Sequence, residues 1–597
     1  MLKPVAEIMR SSVRIYFPLL VAAILCGGGG VAAQTPVDGV SQQAYRSGVA
    51  AMQRGDLATA RADFEKAVRL NPRSADAQNM LGQVLLQQGD LDDAIAHFRE
   101  LVRLRPKLAI ARAYLAQALQ SKGLFEEAII ELRKAVDLGP QQWQAHQALG
   151  RAFGSRQKTE EAITEFKLAI HLAPQQAELH DELGLLLAQQ SRLEEAEKEF
   201  RETVKLNPEY EPGYFHLGVT FSGEGAHEKA QAELEHAVKL DPKDATAWYY
   251  RGKALEAAAN PEEARHSYEQ AVKLKPDFAP WQTTLGLLLQ RRGDPDGAVA
   301  AFRKVIELTP SDPEAHNNLA LALLQRGEAD AAIKEFREAI RLRPEDASFQ
   351  GNLGTAYLQK TDFEAAAAQF RSALKLDPAE ASLHHDLALT LKLKDDLPGA
   401  IAEWKEAIRL DPKLADARYS LGVTLWQSGD FPGAAEQMKQ ATQIKPDYAE
   451  AYYTLGTVLK QMNQPAEAAD ALRQAIRLDP DFAGAHTTLA AVLRQLGDTA
   501  GASAESQAGA EMSKKKTDLQ AATFATNSGR RLLTAGDLDG SISQFRAAIR
   551  AMPSYALAHY QLGLALSQKG LKEESADEYR KAAELDPALA QPQVSAH

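Results

Sequence analysis

The sequence has few of the residues that several functional classes require. It contains one cysteine, Cys26, among 597 residues, and aromatic residues make up only 7% of the chain. Once residues 1–33 are removed, neither a disulfide nor a thiolate metal site could form. The formal net charge is −12, and no basic stripe is present. Because binding to phosphates requires clustered Lys and Arg, we expect no nucleic-acid partner.

The N-terminus carries the one strong targeting signal. Three basic residues, Lys3, Arg10 and Arg14, precede an apolar run at 15–26, four glycines and the small-residue site Val31-Ala32-Ala33. This order is typical of a secretory signal peptide. We therefore expect residues 1–33 to be removed after Ala33 and the mature chain to be secreted or periplasmic.

Two alternatives to cleavage concern membrane attachment. The apolar run is short compared with the roughly 20 residues of a spanning helix, so an uncleaved N-terminal anchor is the weaker alternative. Lipidation at Cys26 is also disfavoured, because Leu25 rather than a small residue precedes it. After cleavage we expect no stable membrane insertion.

Prolines recur with a fixed period along most of the chain. They stand at Pro72, Pro106 and every thirty-fourth residue to Pro480, and then at Pro553 and Pro587. A period of this length indicates a stacked-repeat solenoid. With each proline as position 32, residues 41–482 contain thirteen regular repeats, 483–521 a longer fourteenth, and 522–589 two more.

The pattern within each repeat predicts a helical hairpin. Positions 4, 7, 8 and 11 form one apolar stripe of a 3.6-residue helix, and positions 20, 21, 24, 27 and 28 form a second. Position 8 is Gly or Ala, position 20 is Ala or Ser, and position 24 is usually aromatic or Leu. Small residues at a helix crossing permit close packing beside a ring. Position 15 is often Gly, which suits a left-handed helix C-terminus.

A repeat such as 449–482 resembles a tetratricopeptide repeat, with Leu455-Gly456, Leu459, Ala468 and Pro480 in the matching places. The resemblance implies an all-α fold, a right-handed α-solenoid of about sixteen 34-residue helical hairpins. It also implies a concave groove lined by positions 2, 5, 6, 9, 12 and 13 of the first helices.

The repeats leave little sequence for catalysis. Outside them the mature chain has only residues 34–40 and a tail at 590–597. We therefore expect a protein that is not an enzyme and has no cofactor. Histidines recur at position 4, but equivalent positions lie about a helix-packing distance apart, too far for shared zinc ligation. We expect them to be packing residues, with no metal site.

Aromatic and amide residues occupy the predicted groove. Asn317, Asn318 and Asn352 resemble the asparagine ladder with which some long repeat arrays hold a peptide backbone. Together with Tyr249 they form the expected centre of the peptide groove. The alternative, a polar wall that faces water, stays open. The predicted peptide-binding residues are Phe215, Tyr249, Tyr250, Asn317, Asn318, Asn352, Tyr419 and Tyr453.

The fourteenth repeat departs from the pattern. Ser503, Ser506, Gly509 and Ala510 occupy positions 21, 24, 27 and 28, and three lysines and five extra residues follow. We expect a poorly packed second helix and a structural break near 513–519. The predicted domains are a main array at 41–516, a linker at 517–521 and a two-repeat module at 522–589.

These features predict an exported, non-enzymatic scaffold or adaptor that binds extended peptides or partner proteins in the groove. The alternative function is a substrate-docking or regulatory subunit of a separate glycosyltransferase or polysaccharide-export machine.

Overall fold

The computed structural model describes residues 36–589, so the predicted signal peptide and C-terminal tail lie outside the described residues. The described chain forms 31 α-helices, one short 3-10 helix at Pro587–Leu589 and no β-strand. It divides into unit 1, which ends at Ser311, and unit 2, which begins at Asp312. The all-α hairpin fold is confirmed in each unit.

Unit 1 contains eight hairpins, each with an odd-numbered first helix and an even-numbered second helix. The helices are α1 (Pro36–Gln53), α2 (Leu57–Leu70), α3 (Ala75–Gln88), α4 (Leu91–Leu104), α5 (Ala109–Ser121), α6 (Phe125–Leu138), α7 (Trp143–Ser155), α8 (Thr159–Leu172), α9 (Ala177–Gln189), α10 (Leu193–Leu206), α11 (Glu211–Glu224), α12 (His227–Leu240), α13 (Ala245–Ala257), α14 (Pro261–Leu274), α15 (Ala279–Arg291) and α16 (Pro295–Leu308).

Unit 2 contains the remaining repeats, and its helices follow the same alternation as far as repeat 14. They are α17 (Pro313–Gln325), α18 (Ala329–Leu342), α19 (Ala347–Gln359), α20 (Phe363–Leu376), α21 (Ala381–Leu393), α22 (Leu397–Leu410), α23 (Ala415–Gln427), α24 (Phe431–Ile444), α25 (Ala449–Gln461), α26 (Pro465–Leu478), α27 (Ala483–Gln495), α28 (Thr499–Thr534), α29 (Leu538–Ala551), α30 (Ala556–Gln568) and α31 (Lys572–Leu585).

The contact between positions 8 and 24 holds the two helices of a regular hairpin together. A Cβ built on Gly48 would lie 2.7 Å from the Phe64 ring, and one on Gly354 would lie 2.8 Å from the Phe370 ring. Both rings are fully buried. The predicted pairing of a small residue with a ring is therefore confirmed, because the ring occupies the space that a side chain on the first helix would need.

The predicted turn chemistry is also confirmed. Gly89 and Gly429, at position 15, have φ values of 85° and 88°, in the left-handed region that glycine enters without a steric penalty. The side chain of Asp430 then accepts a hydrogen bond from the Gly433 N–H at 2.9 Å and caps the next helix. In repeat 12 the turn and the cap of the second helix are thus both set by local sequence.

The histidines at position 4 connect neighbouring elements as well as filling space. His180 Nδ1 lies 2.7 Å from Glu199 Oε2, and Nε2 lies 3.3 Å from the carbonyl oxygen of Pro174. Burial lowers the pKa of His180, but the Glu199 carboxylate and the Pro174 carbonyl outweigh burial and raise it overall. This residue therefore joins both helices of its repeat to the proline turn before it.

Repeat 14 differs from the expectation of a structural break. Helix α28 runs without interruption from Thr499 to Thr534, so residues 517–521 lie inside a helix. Ser503 and Ser506 are exposed, as expected for a poorly packed second helix. The expected irregular linker is therefore replaced by a continuous helix, while the division into two modules stays a prediction.

Candidate functional site

A row of contacts connects consecutive first helices in both units. Position 5 of one repeat meets position 6 of the next, 35 residues later. In unit 1, His216 Nδ1 lies 2.7 Å from Asp181 Oδ1. In unit 2, Asn352 Nδ2 donates to Asn317 Oδ1 at 2.9 Å. We call positions 2, 5, 6, 9, 12 and 13 together the first-helix face; the predicted site residues lie on it.

In unit 1 the predicted aromatic residues form a continuous row. Phe215 contacts Tyr250 with ring centroids 5.8 Å apart, and Tyr250 meets Tyr249 edge to face at 5.3 Å. Tyr249 stacks on Trp281 at 5.1 Å with an interplanar angle of 16°. Phe215 and Trp281 are buried, whereas both tyrosines are half-buried. The tyrosines therefore form the accessible part of this row.

Trp281 was not predicted as part of the site. It stands at position 3, outside the six positions that the family resemblance assigns to the groove. The signal that could have identified it is its size, because position 3 is small in most repeats. A large ring there extends from the interface between repeats toward Tyr249.

Acidic groups accompany the aromatic row in unit 1. Asp181 is buried and paired with His216, and burial together with nearby Asp181 raises the pKa of Tyr210. Burial, and then the Asp244 carboxylate, raises the pKa of Glu211 to about 7. Its Oε1 is buried without a hydrogen-bond partner among the described residues. Burial therefore favours the neutral forms of Tyr210 and Glu211, which lie at the start of the helix that carries His216.

In unit 2 the three predicted asparagines lie on neighbouring helices, α17 and α19. Asn317 is buried, while Asn318 and Asn352 are half-buried. An amide has two donor hydrogens and an acceptor oxygen, so the single bond between Asn317 and Asn352 leaves further hydrogen-bonding capacity. Asn317 and Asn352 are therefore in direct contact, and Asn318 follows Asn317 in the chain.

The amide row does not continue into repeat 11. His385 and Asp386 occupy its positions 5 and 6. Burial lowers the pKa of His385, and its Nδ1 has no hydrogen-bond partner in the described part of the chain. Burial also raises the pKa of Asp386 to about 6. Both side chains therefore titrate in a less polar setting than water provides.

Tyr419 and Tyr453 each pair with a ring that the sequence analysis did not select. Tyr419 lies 5.0 Å from Tyr448, and Tyr453 lies 4.7 Å from Phe482, as ring centroid distances. The partners stand at position 34, just before the next first helix. The repeated spacing of 29 residues between the two rings is a sequence signal for this pairing. Tyr419 and Tyr453 are therefore each already in contact with another ring.

Among residues 36–589, no group of three or more His, Cys, Asp or Glu side chains is arranged to hold a metal ion. No helix in this range is both long and apolar enough to cross a membrane.

Comparison with curated proteins gives no match. Among solved structures, the chain is similar to yeast Tom70, at 17% identity over 71% of this chain and 96% of that one, with a TM-score of 0.36. It is also similar to YrrB, described as a TPR protein with an unusual peptide-binding site, at 26% identity over 32% of this chain and 97% of that one, with a TM-score of 0.28.

Family comparison covers most of the sequence. Tetratricopeptide repeat profiles match residues 45–109, 85–152, 147–211, 217–278, 283–347, 326–381, 352–404, 449–482 and 526–590, and a TPR repeat profile matches 390–429 and 425–463. These matches leave residues 483–525 uncovered, the region of the irregular fourteenth repeat. The chain belongs to the tetratricopeptide repeat family.

Proposed function

We propose that this protein is an exported, non-enzymatic scaffold that binds extended peptides or partner proteins along its first-helix face. Membership of the tetratricopeptide repeat family supports a role in protein interaction. The observation that carries the peptide-binding proposal is the amide pair of Asn317 and Asn352, with Asn318 beside it.

The amide pair suits an extended peptide for a chemical reason. A peptide backbone presents alternating N–H donors and C=O acceptors, and an asparagine side chain can bond to either. The pair lies on the first-helix face, and two of the three asparagines are half-buried, so a ligand could reach them. Such contacts would recognise backbone rather than sequence, which suits a scaffold with varied partners.

Peptide binding can be tested without knowing the natural partner. A displayed library of random peptides would be selected on the purified chain, and the affinity of a selected peptide measured by fluorescence anisotropy. In the triple variant Asn317→Ala, Asn318→Ala, Asn352→Ala we expect roughly thirtyfold weaker binding or more, because truncated hot spots cost about 2 kcal/mol or more.

The matched control is Arg371→Ala, an exposed residue on the second helix of the same repeat as Asn352. It should bind the peptide as the unmodified chain does. Equal affinity of the triple variant and the control would remove the amide row from the site.

Export rests on the sequence of residues 1–33. Mass spectrometry of the protein from its native host should find Gln34 at the N-terminus. Intact Met1 in the soluble cytosol would contradict export, and an intact chain in membranes would favour the anchored alternative. Co-purification with a glycan synthase or exporter would favour the docking-subunit alternative over a general scaffold.

A further inference from the structure

Position 3 of the repeat is buried along most of the described chain, and its two exceptions differ in kind. Its residue is buried in fourteen of the sixteen repeats. Gln43, in the first repeat, is exposed and polar. Phe524, in repeat 15, is a large apolar ring, yet 74% of it is exposed. The buried residues are Ala77, Ala111, Ala145, Leu179, Gly213, Ala247, Trp281, Ala315, Phe349, Leu383, Ala417, Ala451, Ala485 and Ala558.

Regular repeats show what normally covers this position. A Cβ built on Gly213 would lie 2.9 Å from Thr203 Cγ2 and 3.1 Å from Val204 Cγ1. Thr203 and Val204 are positions 27 and 28 of the preceding repeat. The natural occupant of a position-3 face is therefore the second helix of the repeat before it.

The other half of the interface is partly open in repeat 14, where position 27, Gly509, is buried. Its position 28 is Ala510, which is exposed, whereas position 28 is buried or half-buried in every other repeat. Ala510 and Phe524 lie on the same continuous helix, α28. Fourteen residues of α-helix separate them by about 21 Å, so they cannot touch while the helix is straight. One complete interface is thus present as two separated halves.

The sizes of the two residues are complementary. In regular repeats a small position 3 commonly faces a β-branched position 28, as with Ala77 and Val68. In this interface the order is inverted, with Phe at position 3 and Ala at position 28. A close-packed contact depends on the summed volume, so the large ring suits the space left by Ala510.

We propose that two copies of this chain form a dimer by exchanging this interface. In the dimer, the second-helix part of α28 in one copy packs on the Phe524 face of the other, and the reverse contact forms by symmetry. Exchange of an identical element is a low-cost route to a symmetric dimer. The five extra residues at 517–521, helical here, hold the two halves apart and so favour exchange between copies.

The first test measures self-association of the purified chain by sedimentation velocity at increasing concentration. We expect a reversible monomer–dimer equilibrium. Phe524→Ala removes both symmetric contacts. Because each contact should strengthen the dimer affinity roughly thirtyfold, the dimer dissociation constant should rise about a thousandfold. Arg530→Ala, exposed on the same helix, is the control and should dimerise normally.

The second test changes the helix between the halves and leaves the interface intact. Gln520→Pro interrupts α28, so that repeats 14 and 15 of one chain can bend and meet. We expect this variant to be monomeric, while Gln520→Ala, which keeps the helix, stays dimeric. A chain that is monomeric at every concentration overturns the proposal. So does a dimer that withstands Phe524→Ala, or one that Gln520→Pro leaves unchanged.

Discussion

Repeats 10 and 14 of unit 2 have the same hairpin plan but different interiors. In repeat 10, Gly354 accepts the fully buried ring of Phe370. In repeat 14 the equivalent residues are Ala490 and Ser506, and Ser506 is exposed. Repeat 14 nevertheless keeps both helices, with His486 Nδ1 lying 2.6 Å from Glu505 Oε2. The hairpin can therefore form without its central ring, but it then buries much less apolar surface.

The largest expected difference between the two regions is in protease sensitivity. Lys514, Lys515 and Lys516 are exposed on α28, where the apolar core is interrupted, whereas regular helices pack on neighbours. Because local opening there costs little free energy, brief trypsin treatment should cut at these lysines first. A variant with glutamine at all three positions should resist the early cut. Earlier cleavage within repeats 9–13 would contradict the comparison.

Truncating the side chain at position 24 should destabilise repeat 10 much more than repeat 14. Phe370→Ala should destabilise repeat 10 by about 3–5 kcal/mol, because it removes a buried ring and leaves a cavity. Ser506→Ala, the matched change in repeat 14, should alter stability by less than about 0.5 kcal/mol. Hydrogen exchange resolved by peptide mass spectrometry would measure both. Similar losses of protection would mean that the ring is not what distinguishes the repeats.

Substituting the small residue at position 8 should change the stability of a repeat by less. Gly354→Ala should cost about 1–3 kcal/mol, since the new Cβ would lie 2.8 Å from the Phe370 ring. The reverse change, Ala490→Gly, should cost about 1 kcal/mol through helix propensity alone, because no ring is present to use the space. Hydrogen exchange resolved by peptide mass spectrometry would again measure both changes. A gain in protection on Gly354→Ala would show that the ring moves aside freely.

The smallest effect concerns a regular repeat of unit 1, where Glu211 has a pKa raised to about 7 from an ordinary 4.5. Folding then favours the protonated carboxyl, so stability is full below about pH 4.5 and falls as pH rises through 7. Glu211→Gln should therefore stabilise repeats 5–7 by about 1 kcal/mol at pH 8 and have little effect at pH 4.

The matched control for this prediction is Glu209→Gln, an exposed carboxyl on the same turn. Its effect should be small at both pH values. If Glu211→Gln had the same effect at pH 4 as at pH 8, titration of this carboxyl would not explain its influence.

Most of the fold could be predicted from local chemistry. The proline period, the small residues at position 8 and the glycines at position 15 each report a constraint that lies within one repeat. Helix α28 is continuous where the sequence predicted an irregular linker. Between Gly509 and Gly529 the sequence has no glycine or proline, and position 32 is Lys514 rather than proline. Nothing local therefore ends the helix.

The candidate site was predictable only as a set of positions. All eight predicted residues lie on first helices, but several of their partners belong to neighbouring repeats. Tyr249 of repeat 7 stacks on Trp281 of repeat 8, a contact that no single repeat encodes, whereas Tyr453 pairs with Phe482 inside one repeat. The sequence also could not distinguish a hydrogen-bonded amide pair from separate asparagines, because that depends on helix spacing.

The sequence by itself determined the repeat length, the hairpin and the identity of the residues on each helix face, because these follow from periodicity and turn chemistry over a few residues. The tertiary structure decided which of those residues meet, which stay exposed and where two repeats share one helix. Contacts between repeats depend on the packing of side chains about 35 residues apart, and a one-dimensional pattern does not fix that packing.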